Sequence, residues 1–250
     1  MSLKFPVSLV GNRFAAAADF GLTSRNFVDT ESDYLSLPSS QADYNFIHED
    51  KIFTIALWVK LDNYNTGTQE SLMGSTATTG EKGFFVGYND LSAPPNDNRA
   101  RLFIAHGTSG QNDQLIINQA VTDAGWHHWC FTGDGSTIKF YLDGSSFGGT
   151  DSVTYTGSYG NADHDLLIGA DNTAGSPARF MDGNLADVRI YNEDIGATEV
   201  ANLYVGTDYI GTNLVSHWIK DADVTTDYGS LGNDFTNNGT TWDADGPLDP

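Results

Sequence analysis

Residues 125–144 read GWHHWCFTGDGSTIKFYLDG. Two runs rich in aromatic and β-branched residues flank Gly-Asp-Gly, and Leu142-Asp143-Gly144 closes the unit. Asp-Gly between apolar runs is a strong hairpin signal, because the turn needs a positive φ that Gly adopts without a Cβ clash. A lone hairpin is marginal in water, so this unit demands further strands and a face to bury.

Those strands are legible elsewhere. In FTIALWVKL (53–61), Phe53, Ile55, Leu57, Val59 and Leu61 alternate with Thr54, Ala56, Trp58 and Lys60. This period of two predicts a strand with one strongly apolar face. Further strands are predicted at 83–88, 100–106, 114–118, 126–132, 137–142, 166–169 and 185–191, separated by Gly, Asn, Asp, Ser and Thr. Strands at this spacing with polar turns indicate a sandwich or jelly roll rather than βαβ units. One short helix is predicted at 198–205, with Glu199 in its first turn and Gly206 as its stop. A chain of 250 residues fits a single β-domain of this kind.

Several segments resemble laminin-G-like domains, the concanavalin-A-like jelly rolls. They are DYLSLPSS (33–40), FTIALWVK (53–60), the central hairpin, LLIGA (166–170) and FMDGNLADVRIYNEDIGATEVANLY (180–204). The resemblance implies an all-β sandwich of two antiparallel sheets with one short helix. The tail, LVSHWIK (214–220) with DYGSLGNDFTNNGTT (227–241), resembles the opening of such a domain but stands at the C-terminus. Residues 212–250 are therefore expected to complete the sandwich in permuted order, since about 45 residues are too few for a second core. Residues 232–249 also resemble a segment of marine phage virion proteins.

Acidic residues number 33 against 12 Lys plus Arg, a formal charge of −21. Nucleic-acid binding needs clustered cations, and docking on anionic lipid is disfavoured for the same reason. No stretch approaches the roughly 20 apolar residues of a spanning helix. The single cysteine, Cys130, excludes an internal disulfide and reads as a small buried residue. No cleaved leader is visible at the start, where Gly11, Asn12 and Arg13 break the apolar run.

Chemistry is sparse. On this fold the related glucanases use a Glu-x-Asp-x-x-Glu run, and retaining glycosidases pair carboxylates about 5 Å apart. The glutamates, Glu31, Glu49, Glu70, Glu81, Glu193 and Glu199, form no such run, so no enzyme is expected. Among the histidines (His48, His106, His127, His128, His164 and His217), the adjacent His127 and His128 point to opposite faces and cannot share a metal. Loop acids suited to calcium include Asp62, Asp90, Asp97, Asp113, Asp163, Asp171, Asp182, Asp187 and Asp234. Asp187 stands apart, flanked by apolar strand residues. The resemblance implies that an Asp at its place can hold a structural Ca2+ with carbonyls from the opening motif, here Gly232, Asn233 and Asp234. A carboxylate accepting turn N–H bonds is the alternative. For glycans, Tyr64, Tyr88, Tyr155, Tyr159 and Trp242 are candidate stacking surfaces, since C–H faces of sugars pack on aromatic rings.

The expectation is a non-catalytic binding or structural module. One form is a phage virion surface protein, a capsid decoration or fibre component that contacts glycans, with residues 1–10 as an attachment segment. Its partners would be virion proteins, with a homo-oligomer left open. The other is a carbohydrate-binding module of a bacterial extracellular protein.

Overall fold

The structure is a computed structural model that describes residues 23–62, 69–88, 99–117, 124–206, 211–220 and 225–247. Among these residues the strands are β1 (Ser24–Phe27), β2 (Tyr34–Ser36), β3 (Ile52–Leu61), β4 (Glu70–Gly74), β5 (Lys82–Tyr88) and β6 (Ala100–His106). They continue as β7 (Asn112–Ile116), β8 (His127–Asp134), β9 (Thr137–Leu142), β10 (Ser145–Ser152), β11 (Leu167–Ile168) and β12 (Asp171–Thr173). The last five are β13 (Ser176–Ala178), β14 (Gly183–Tyr191), β15 (Leu214–Trp218), β16 (Thr236–Asn238) and β17 (Thr241–Asp243). A single helical turn, α1 (Asn45–His48), joins β2 to β3, and α2 (Gly196–Tyr204) follows β14.

Two antiparallel sheets face each other. One runs β10-β9-β8-β3-β14-β1-β17, with β15 also paired to β14; the other runs β16-β2-β11-β4-β5-β6-β7. A small hairpin, β12-β13, stands apart. The jelly-roll expectation therefore holds, and the central hairpin is β8-β9, with Trp129 opposite Leu142 and Phe131 opposite Phe140.

The alternation in β3 works as its period requires. Phe53, Ile55, Leu57, Val59 and Leu61 enter the main core with Phe84, Val86, Leu102, Ile104, Trp129 and Phe131. The opposite face is not solvated, because α2 covers it. Ala56, Cys130, Tyr141 and Tyr191 form a second apolar layer with Val200 and Leu203 of the helix. Trp58 stacks on Tyr204 at 5.6 Å between ring centroids. Cys130 is fully buried there.

The tail is woven into both sheets: β15 pairs with β14, β16 with β2 and β17 with β1. The β16-β17 turn thus links the two sheets along one edge. Trp218 is fully buried and its indole N–H donates to the Asn233 carbonyl at 2.8 Å. Residues 1–10, expected as an attachment segment, lie outside the described residues.

Candidate functional site: a tyrosine strap at one end of the sandwich

Residues 153–166, VTYTGSYGNADHDL, cross from β10 in one sheet to β11 in the other. The segment is rich in Gly, Ser and Thr and has no apolar alternation, so it forms no ladder. Its backbone donors must be satisfied by other groups. Asp113 supplies two acceptors: Oδ1 receives the Thr154 N–H at 2.6 Å and Oδ2 the Tyr155 N–H at 3.4 Å. Glu49 Oε1 receives the amides of Tyr159, at 2.8 Å, and Gly160. His48 Nε2 donates to the Gly160 carbonyl at 2.8 Å. Further along, Ala162 N–H donates to Gln41 O, and Asp163 exchanges backbone and side-chain bonds with Lys82. This strap is therefore held down by side chains of α1 and its following residues, and of β5 and β7.

The two tyrosines of the strap converge on one imidazole. His106, at the end of β6, lies 5.5 Å from the Tyr155 ring and 4.5 Å from the Tyr159 ring. His106 is itself fixed: its Nε2 donates to Asp113 Oδ2 at 3.1 Å, and both side chains are sealed from solvent. The buried Lys51 places its ammonium 5.0 Å from the Tyr159 ring centre, a cation–π contact. Tyr155 and Tyr159 remain half-buried, and Thr156, Gly157 and Ser158 between them are exposed. The result is a pair of partly exposed rings anchored from within.

Electrostatics at this end follow from burial. Desolvation alone would raise Asp113, but the His106 bond and the Thr154 amide outweigh it and its carboxyl sits below the ordinary value. Burial lowers Lys51 against the pull of Asp113 and Glu49. Burial also lowers His48, more than its bond to Gly160 raises it.

The other sequence-predicted aromatics go elsewhere. Tyr88 is not exposed: it shares the core face of β5 with Phe84 and Val86 and packs 6.0 Å from Trp129. Trp242 lies half-buried with the Arg25 guanidinium 4.5 Å from its ring. Tyr64 lies outside the described residues, as do Asp90 and Asp97. On the outer face of the seven-stranded sheet, Phe85 and Phe103 are buried and carry Arg101 at 5.2 Å. Those rings offer no open stacking surface.

Asp187 was the leading calcium candidate. It sits at a β-bulge of β14 with φ +48°, its N–H donating to the Ile219 carbonyl at 2.8 Å. Its Oδ1 accepts from His217 Nε2 at 2.6 Å and from Arg189 Nε at 2.9 Å. Burial would raise this carboxyl, but the Arg189 charge and the His217 bond outweigh it and hold it well below the ordinary carboxylate range. A guanidinium in hydrogen-bond contact is the opposite of what a divalent cation needs.

Two of the proposed carbonyl donors are also engaged. Asn233 O accepts from Trp218 and Gly232 O accepts the Asp234 N–H at 3.2 Å, while the Asp234 carboxylate accepts the Asp227 N–H at 2.9 Å. The residues at Asp187, Gly232, Asn233 and Asp234 do not fit calcium. Asp171, another loop acid, is clamped by Arg179 through both oxygens at 2.6 and 2.9 Å. Among the described residues no group of three or more His, Cys, Asp or Glu side chains gathers as a metal site.

The anchors of the strap were not visible from spacing. His48, Glu49, Lys51, His106 and Asp113 come from three separate stretches of chain, and only the sheet order brings them together. The one available signal was composition: two tyrosines four residues apart in a Gly-Ser-Thr run.

The family model of the concanavalin A-like lectin/glucanases superfamily, Laminin_G_3, matches residues 29–201. A search of curated proteins returns no match. Solved structures share the fold. A Bacteroides ovatus protein provisionally assigned to carbohydrate binding aligns with TM-score 0.63 and 16% identity, covering 88% of this chain and 59% of that one. A heptameric SAP-like pentraxin from Limulus polyphemus aligns with TM-score 0.56 and 14% identity, covering 90% and 96%. The CBM40 module of a Ruminococcus gnavus IT-sialidase aligns with TM-score 0.53 and 12% identity, covering 72% and 96%. At these identities the likeness concerns the fold.

Proposed function

This chain belongs to the concanavalin A-like lectin/glucanases superfamily, and we propose that it is a non-catalytic carbohydrate-binding module that meets glycans through the Tyr155–Tyr159 strap. The observation that carries this reading is the convergence of two half-exposed tyrosine rings on the single buried His106. Rings fixed from beneath bind sugar C–H faces without first losing rotamer freedom. Carbohydrate-binding neighbours of the same fold support the ligand class. The formal charge of −21 favours neutral over acidic glycans.

Non-catalysis is supported by where four of the six glutamates go. Glu49 holds the strap, Glu70 accepts the Asp182 N–H, Glu81 holds Thr76 and Ala174, and Glu199 holds Asn202. Each serves the scaffold.

The test is a glycan array followed by calorimetric titration of the best neutral oligosaccharide against Tyr155→Ala and Tyr159→Ala. Each substitution is expected to weaken binding several-fold, since an aromatic contact contributes ~0.5–1.5 kcal/mol beyond its area. Both variants binding as the parent does would overturn the assignment of the site. Display on a phage particle is a narrower proposal carried by the 232–249 resemblance, and mass spectrometry of purified virions tests it.

A further inference from the structure

We propose that the strap is an acid-released latch, closed while the buried His48 is neutral and opened when that imidazole takes a proton. The geometry rests on α1 and the strap crossing the same end of the sandwich. His48 is buried, and its Nε2 is committed to the Gly160 carbonyl at 2.8 Å. Its Nδ1 is buried with no partner. That ring lines a cavity with room for about one water molecule, lined also by Ser40, Tyr44, Ser75, Ala162 and Leu166.

The neutral tautomer with hydrogen on Nε2 meets the Gly160 carbonyl of the closed arrangement. A second proton must enter at Nδ1, where no protein acceptor waits, and would bury a full charge. Opening the strap exposes the ring to water and removes that penalty.

The charged and titratable groups facing His48 do not reverse this. Glu49, beside it in sequence, attracts the imidazolium, but its carboxylate already serves the Tyr159 and Gly160 amides. Lys51, on the same connection, and His106, from β6, both oppose the charge. Behind them Asp113 of β7 is occupied by His106 and the Thr154 and Tyr155 amides. Tyr155 and Tyr159 of the strap itself complete the surroundings.

The direction follows from linkage. The closed state holds His48 below its ordinary value, so the open state binds the proton first. Closure is undiminished above about pH 6.5, the ordinary histidine value, and weakens as pH falls below it. One proton sets the steepness at no more than about tenfold per pH unit. The strap carries Tyr155 and Tyr159, so its release dismantles the glycan surface. That consequence rests on the proposed function, whereas the latch is read without sugar.

Hydrogen exchange of the full chain, followed by mass spectrometry at pH 7.5 and 5.5 and corrected for intrinsic rates, tests the latch. The opening equilibrium of residues 153–166 is expected to rise by up to about tenfold between those values, with His48→Gln as the control for any change in the rest of the fold. His48→Gln keeps an N–H donor and does not titrate, so its strap is expected to stay closed at both. Equal strap protection in the parent at both pH values overturns the proposal, as does the same rise in His48→Gln. Should that variant fail to fold, imidazole NMR of the parent decides: strap opening must share its midpoint with His48, and a different midpoint overturns the latch. Loss of sugar binding in the tyrosine variants leaves this measurement untouched.

Discussion

His217 Nε2 lies 2.6 Å from Asp187 Oδ1, joining β15 of the tail to β14 in the middle of its sheet. The same oxygen takes Arg189 Nε at 2.9 Å, and all three side chains are buried. The bulge makes this possible: with φ +48° at Asp187, the strand re-aims one carboxylate towards two donors. The tail therefore contributes a hydrogen-bond partner to Asp187 as well as strands and a tryptophan.

Removing the carboxylate should be costly and indifferent to calcium. Asp187→Ala removes the buried carboxylate that faces the Arg189 guanidinium, and breaking such a pair from one side costs about 3–5 kcal/mol. Calorimetric melting of the parent and the variant, with millimolar calcium and with chelator, measures both effects. A calcium-dependent rise in the parent that disappears in Asp187→Ala would restore the metal reading.

Trp218 tests the tail from the packing side. It is fully buried, stacks obliquely on Tyr44 at 6.2 Å and donates to Asn233 O. Trp218→Ala should destabilise by about 3–5 kcal/mol through lost burial and a cavity. Trp218→Phe should cost less, because it restores most of the volume. Equilibrium denaturation with urea reads the difference. A cost under about 1 kcal/mol for the alanine variant would show that the tail adds little to the core.

The legible parts of this fold were those where one strand carries its own evidence. β3 shows five alternating apolar residues, and all five enter the core. β8-β9 announces itself through its turn. The short strands β1, β2, β16 and β17 hold three or four residues each, too few for a period, and their partners lie far along the chain. Tyr88, a candidate stacking surface by sequence, lies in the core, because Phe84, Val86 and Tyr88 share one parity and hence one face.

Asp187 drew notice as an acid among apolar residues. The signal that explains it lies two positions on: Arg189 carries the opposite charge and pairs with it. The residues anchoring the strap gave no local signal, because tertiary order alone assembles them.

His128 makes folding pH-dependent above about pH 4. It is fully buried, 5.3 Å from the Trp58 ring and 6.3 Å from Tyr204, with its Nδ1 unpartnered. Burial pushes its value down to about 4, against the attraction of Asp187. An unfolded chain binds that proton near pH 6.5, so the contribution of His128 to folded stability falls as pH drops from 6.5 and levels off below about 4. The span is on the order of 3 kcal/mol. His128→Phe keeps an aromatic ring against Trp58 and Tyr204 and cannot titrate. Urea denaturation of parent and variant from pH 7.5 to 4.5 should therefore show a shallower acid decline in the variant. Parallel declines would mean that the imidazole is protonated in the folded state, and that its stack with Trp58 is open to water.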